Sequence, residues 1–180
     1  MMVIYSGNYA YSSTSDLEHY GVLGMRWGVH KARYYQKQYG KYSTGKTAEE
    51  KAKAARYQQL LGQTKHRIVS KSTEKLNKIN TRYRKRQGAA DRNYDRGERR
   101  EHSWLASQES ADRAYKKANK QQYRANRLAN KGKRWYEQMV RAYGDLELTM
   151  DKETMAIGKQ FVDHVTTQSQ INYAQRKKRK

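Results

Sequence analysis

Lysine and arginine recur with a helical period between residues 113 and 134. Lys117-Ala118-Asn119-Lys120 returns as Arg124-Ala125-Asn126-Arg127 and then as Lys131-Gly132-Lys133-Arg134, seven residues further each time. On an α-helix this spacing sets Arg113, Lys120, Arg127 and Arg134 in one row and Lys117, Arg124 and Lys131 in another, each repeat rising about 10.5 Å. A third row, Trp104, Ala111, Ala118, Ala125 and Gly132, is small after its first member. The stretch from 113 to 134 holds nine basic residues and no acidic one. Two cationic ridges beside a smooth seam suit phosphate contact that ignores base sequence, because a regular Lys/Arg ladder supplies charge without a base-reading constellation. The plainer reading of the same pattern is a solvated helix packed through its alanine seam. Arg176, Lys177, Lys178, Arg179 and Lys180 add a second cationic group at the C-terminus.

Other chemistry finds less support. Gly40-Lys41-Tyr42-Ser43-Thr44-Gly45-Lys46-Thr47 matches the phosphate-loop pattern G-x-x-x-x-G-K-[ST] letter for letter. That chemistry needs a buried strand before the loop and an acidic magnesium partner on another strand. The preceding residues 30–39 are polar and basic, and Thr47 with Glu50 explains the same letters as a helix-starting capping box. His19 and His30 bracket a glycine-rich segment, but no cysteine or convergent carboxylate set accompanies them. No catalytic, cofactor-binding or metal-binding residue is assigned, and an enzyme is not expected.

The most specific segment is His19-Tyr20-Gly21-Val22-Leu23-Gly24-Met25-Arg26-Trp27-Gly28-Val29. Three glycines in eight residues permit a tight path that other residues resist. Val22, Leu23, Met25, Trp27 and Val29 load that small frame with apolar surface, which must be buried on a partner or on this chain's own helices. His19, Gly21, Gly24, Met25, Trp27 and Gly28 are therefore the candidate docking residues. The segment resembles the H-x-G-[IV]-x-G-[MQ]-[KR]-W-G-[VI] motif of small basic proteins, and of tails on larger ones, encoded by tailed phages and prophages. In those proteins an Arg/Tyr/Gln-rich stretch and a glycine-containing linker follow. Here Ala32-Arg33-Tyr34-Tyr35-Gln36 and Ser43-Thr44-Gly45-Lys46-Thr47 stand in similar places, so the likeness covers roughly residues 17–57. Tyr20 replaces the common second His, and His30 the common Arg. The resemblance implies a structural or virion-associated phage protein and carries no catalytic activity.

The elements that must position these residues follow from composition. Leu, Ile, Val and Phe make up only 22 of the 180 residues, and the formal net charge is +22. Both work against a compact sphere. The chain has no proline and is rich in Ala, Lys, Arg and Gln, a mix that favours helix. An all-α protein is expected, built of elongated helices or a helical hairpin that a partner helps to order. Zero cysteines exclude disulfides, and no apolar run approaches the ~18 residues of a membrane span.

Charge divides the chain into an N-terminal docking segment (1–45, net +3), a basic helical arm (46–134, net +17), an amphipathic helix (135–175, net −3) and a disordered basic tail (176–180, net +5). Val3-Ile4-Tyr5 and Tyr9-Ala10-Tyr11 flank the turn triplet Ser6-Gly7-Asn8 and read as a short β-hairpin. Ser15 with Glu18 starts one helical turn that Gly21 stops. A helix is predicted from about 47 to 87, ended by Gly88. Trp135, Met139, Tyr143, Leu146, Met150, Ile157, Phe161 and Val165 then form one amphipathic stripe that Gly144 and Gly158 bend.

The expectation is a non-enzymatic phage virion component in a homo-oligomeric array. It would dock to another structural protein through its N-terminal motif and touch packaged DNA phosphates non-specifically. Before assembly it would occupy the host cytoplasm, with no membrane association. Sixteen tyrosines would add interface anchors or base-stacking surfaces. The alternative is a non-structural nucleic-acid-binding or condensing accessory protein acting in the infected host.

Overall fold

A computed structural model describes the backbone of residues 21–177 and the side chains of residues 28–171. Within them the protein is all-helical: α1 (Gly21–Ser43), α2 (Ala48–Glu101), α3 (Gln108–Asp145) and α4 (Lys152–Lys177). The proposed hairpin of residues 3–11 and the turn at Ser15–Glu18 lie outside the described residues. The chain divides into two compact units, Met1–Thr64 and Lys65–Lys180.

In the first unit, α1 and the start of α2 form an antiparallel pair. The link between them is closed by the expected capping box. The Glu50 amide donates to Thr47 Oγ1 at 3.2 Å, and the Thr47 amide donates to Glu50 Oε2 at 3.1 Å. Gly45 passes so close over Glu50 that a Cβ would sit 2.5 Å from the Glu50 Cβ, which accounts for the glycine. Val29, Ala32 and Ala54 are buried, and a cluster of tyrosines adds to the contact. Tyr57 meets Tyr34, Tyr35 and Tyr42 at 6.4, 6.2 and 5.9 Å, and the Tyr42 ring stacks nearly parallel to it.

The second unit has a core of its own, contributed by three helical segments. Near one end of the α2–α3 pair, Tyr115 Oη donates to Glu101 at 2.6 Å; near the other, the Trp135 indole donates to the Ser72 carbonyl at 3.1 Å. Residues later in α2 thus meet residues earlier in α3, the signature of an antiparallel hairpin. The buried faces are Ile68, Leu76, Ile79, Tyr83 and Ala90 on α2, and Ala111, Ala118, Ala125, Trp135 and Met139 on α3. Helix α4 returns along α3. Phe161 lies over Gly132 and Tyr136 over Gly158, each ring filling the space that a Cβ would need. Two glycines facing two rings therefore set how closely α3 and α4 approach.

Three sequence expectations are corrected here. Helix α2 does not end at Gly88 but continues to Glu101. One glycine costs a helix only about 1 kcal/mol, less than the packing on either side returns. Gly97 on this extension has the Tyr115 ring in place of a Cβ. The stripe from Trp135 to Val165 is two helices rather than one bent helix, broken between Asp145 and Lys152. At the break Glu147 takes a left-handed φ of 53°, and the Leu148 amide donates to the Tyr143 carbonyl at 2.8 Å. That is a Schellman-type stop with a glutamate where glycine is usual. Asp151 then caps α4, accepting from the Thr154 amide and hydroxyl, both at 2.7 Å. Finally, Trp104 does not join the small-residue seam: it lies between α2 and α3 and is 91% exposed.

Candidate nucleic-acid interface

Helix α3 sorts its residues by charge. Ala111, Ala118 and Ala125 are fully buried and Gly132 is buried with them, so the small-residue row is the packing seam that the repeat predicted. Arg113, Lys117, Lys120, Arg124, Arg127, Lys131 and Arg134 are all exposed. A seam of small side chains lets neighbouring helices approach α3 closely, and the long cations are left on the opposite arc. The two ridges are thus presented together, on one element, with their heptad spacing intact.

Ion pairs fringe this surface. Arg113 pairs with Glu109, and Lys133 lies 3.9 Å from Glu137. Both partners stand outside the acid-free stretch from 113 to 134. Such exposed i,i+4 pairs contribute only a few tenths of a kcal/mol and do not fix the arginine or lysine against another anion.

A residue absent from the sequence-based set also belongs to this face. Lys75 of α2 is half-buried, with its ammonium 3.8 Å from the centre of the Trp135 ring. Burial, and then the positive charge of Lys131, hold its pKa below the ordinary lysine value. Its signal was present in the sequence as the heptad pair Lys75 and Arg82, masked by the denser repeat in α3.

The other candidate residues are not brought to this face by any described contact. His19 lies outside the described residues. Gly21, Gly24, Met25, Trp27 and Gly28 fall in the first turns of α1, so the motif backbone is helical there and not the tight loop expected. Helical register places Gly21, Gly24 and Gly28 on one side, and the turns that follow are anchored by buried Val29 and Ala32. Arg176 and Lys177 continue α4, which corrects the expected disordered start of the tail. Lys178, Arg179 and Lys180 lie outside the described residues.

The phosphate-loop lookalike is the end of α1, a short turn and the start of α2, with the Thr47 hydroxyl engaged by Glu50 at 2.8 Å. Among the described residues, no three of His, Asp and Glu come together as metal ligands, and no helix is long and apolar enough to cross a membrane.

Residues 12–34 match the profile of a family of unknown function (DUF7211), a span that contains the His19–Val29 motif. No curated protein and no solved structure matches the chain.

Proposed function

We propose that this is a non-enzymatic nucleic-acid-associated structural protein of a phage particle, which lays α3 against DNA phosphates and docks to another virion protein through residues 19–28. The observation that carries the reading is the division of α3 into a buried alanine seam and an exposed arc of seven regularly spaced cations. The DNA contact is independent of base sequence, because lysine and arginine at fixed helical intervals meet phosphates rather than base edges. The placement in a virion rests on the likeness of the glycine–tryptophan motif to those of tailed-phage proteins.

Duplex DNA binding measured against salt tests the interface. Replacing Lys120, Arg124 and Arg127 with Gln should lower the slope of log K against log salt by about two to three units, since each lost phosphate contact contributes about 0.9. Glutamine keeps the helix, so the loss is electrostatic. A control with Arg176, Lys177 and Lys178 replaced should lose less. Equal losses would reduce the ridge to its share of net charge. Trp27→Ala should keep helicity but abolish incorporation into particles, and mass spectrometry of purified particles should find the wild type at stoichiometric copy number.

A further inference from the structure

We infer that α2 supplies the second bank of a two-helix phosphate groove, with Lys75 and Arg82 facing Lys131 and Arg124 across the α2–α3 hairpin. This rests on the nucleic-acid reading of α3 and extends it to a helix that the repeat pattern did not implicate.

The charge of α2 is the first ground. Between residues 65 and 85 it carries eight basic residues and one acid, Glu74. That acid is already engaged: Lys78 lies 2.5 Å away, and the Glu74 pKa is held down by the Lys78 hydrogen bond first and by Lys71 as a minor contributor. Lys75, Lys78, Arg82 and Lys85 fall at i, i+3, i+7 and i+10, one flank of the helix beside the buried row Leu76, Ile79 and Tyr83. Lys78, Arg82 and Lys85 are exposed.

The second ground is the register of the hairpin. Ser72 receives the Trp135 indole, and Arg86 donates to Gln121 at 3.0 Å. Between these two fixed points the helices run antiparallel. One heptad forward from Lys75 is Arg82, and one heptad back from Lys131 is Arg124. The two pairs form successive rungs about 10.5 Å apart, the same repeat as the ridges on α3.

The third ground is that Lys75 is held in an unfavourable setting. Its ammonium sits over the Trp135 ring, half-removed from water and next to Lys131, with no carboxylate paired to it among the described residues. Two like charges drawn together across a hairpin repel each other until an anion joins them. A phosphate oxygen bridging Lys75 and Lys131 would relieve that repulsion, while the ring holds the lysine stem in place.

The test uses the full-length protein and a duplex of about 30 base pairs. Lys75→Gln with Arg82→Gln should lower the salt slope by about two units. Lys51→Gln with Arg56→Gln, an exposed pair in the other unit, should lower it by much less. In a Trp27→Phe, Trp104→Phe background, Trp135 is the sole indole, and DNA should change its emission. Lys75→Gln should remove that change. Arg82→Gln alone, at an exposed position that cannot unfold the hairpin, should lower the slope by about one unit. If the wild type binds DNA and the α3 variant weakens it while the α2 variants match the Lys51/Arg56 control, the second bank is wrong and the α3 reading stands. If the wild type shows no salt-dependent binding, both fall.

Discussion

The two units close their helix pairs by opposite means. In Met1–Thr64, α1 meets α2 through Tyr57 and the three tyrosines gathered around it, with Lys53 near the Tyr42 ring at 5.8 Å and, among the described residues, few buried aliphatic side chains. In Lys65–Lys180 the helices approach through alanine and glycine, and Phe161, Leu76, Met139 and Leu146 fill what remains. Rings with polar edges tolerate water at their margins and need no deep core. A small-residue seam tolerates nothing in its path, since each added atom must displace a ring. A chain this poor in aliphatic residues therefore concentrates its packing in one place, and leaves a wetter contact next to the glycine–tryptophan motif.

The largest expected effect lies in the tight unit. Phe161 is fully buried, covers Gly132 and packs edge-on against Tyr83 at 5.4 Å between ring centres. Phe161→Ala should destabilise Lys65–Lys180 by about 3–5 kcal/mol. Amide exchange resolved along the chain should locate the loss there. A uniform loss over both units would mean that they unfold as one and that the contrast has no energetic meaning.

Tyr57→Ala should act on the other unit and cost less, about 2 kcal/mol for the loss of several tilted or stacked ring contacts at a partly wet site. Faster exchange should be confined to α1 and the beginning of α2. If Tyr57→Ala costs as much as Phe161→Ala, the tyrosine cluster is a core and the first unit is not the looser one.

A gain is expected at the turn between α3 and α4. Glu147 holds a φ of 53°, a conformation that costs a non-glycine residue about 1 kcal/mol. Glu147→Gly should raise the melting temperature of the second unit through relief of that strain, with the Leu148–Tyr143 hydrogen bond retained. No gain would show that the higher backbone entropy of glycine in the unfolded chain offsets the relief.

Signals in the sequence are legible where they act through neighbours a few residues apart. Thr47 and Glu50 announce their cap, and the alanine row announces the packing face of α3. The stop at Glu147 is not legible because Leu146 and Met150 continue the 3–4 spacing across it, and glutamate does not advertise a left-handed turn. The Asp151-to-Thr154 cap was the available signal. Three glycines in eight residues suggest a loop, yet a helix absorbs them when the following turns are anchored by Val29 and Ala32. Lys75 is hidden in the sequence for another reason: its place over Trp135 depends on the hairpin register, a long-range fact that no window of sequence contains.

The smallest expected effect is a pH dependence belonging to the tight unit alone. His164 sits between Tyr83 and Asn126, with Nδ1 3.1 Å from the Tyr83 hydroxyl and Nε2 2.9 Å from Asn126 Oδ1. Oδ1 can only accept, so Nε2 carries the proton, and Nδ1 accepts from Tyr83. The neutral ring is thereby satisfied at both nitrogens. Protonating Nδ1 would turn an acceptor into a donor facing a hydroxyl that already donates to it. Burial lowers the His164 pKa below the ordinary histidine value. The unfolded chain, with its ordinary pKa of about 6.5, therefore takes up a proton at a pH where the folded chain does not. The stability this confers is complete above that ordinary value. It is lost as pH falls through it towards the folded pKa, below which no further change follows. The melting temperature of the second unit should decline as pH falls through about 6.5. His164→Gln should be less stable at neutral pH and should lack most of that decline. The first unit does not contain this histidine contact, so exchange rates there should not follow the same curve. A decline shared by both units, or one that survives His164→Gln, would assign the pH dependence to another group.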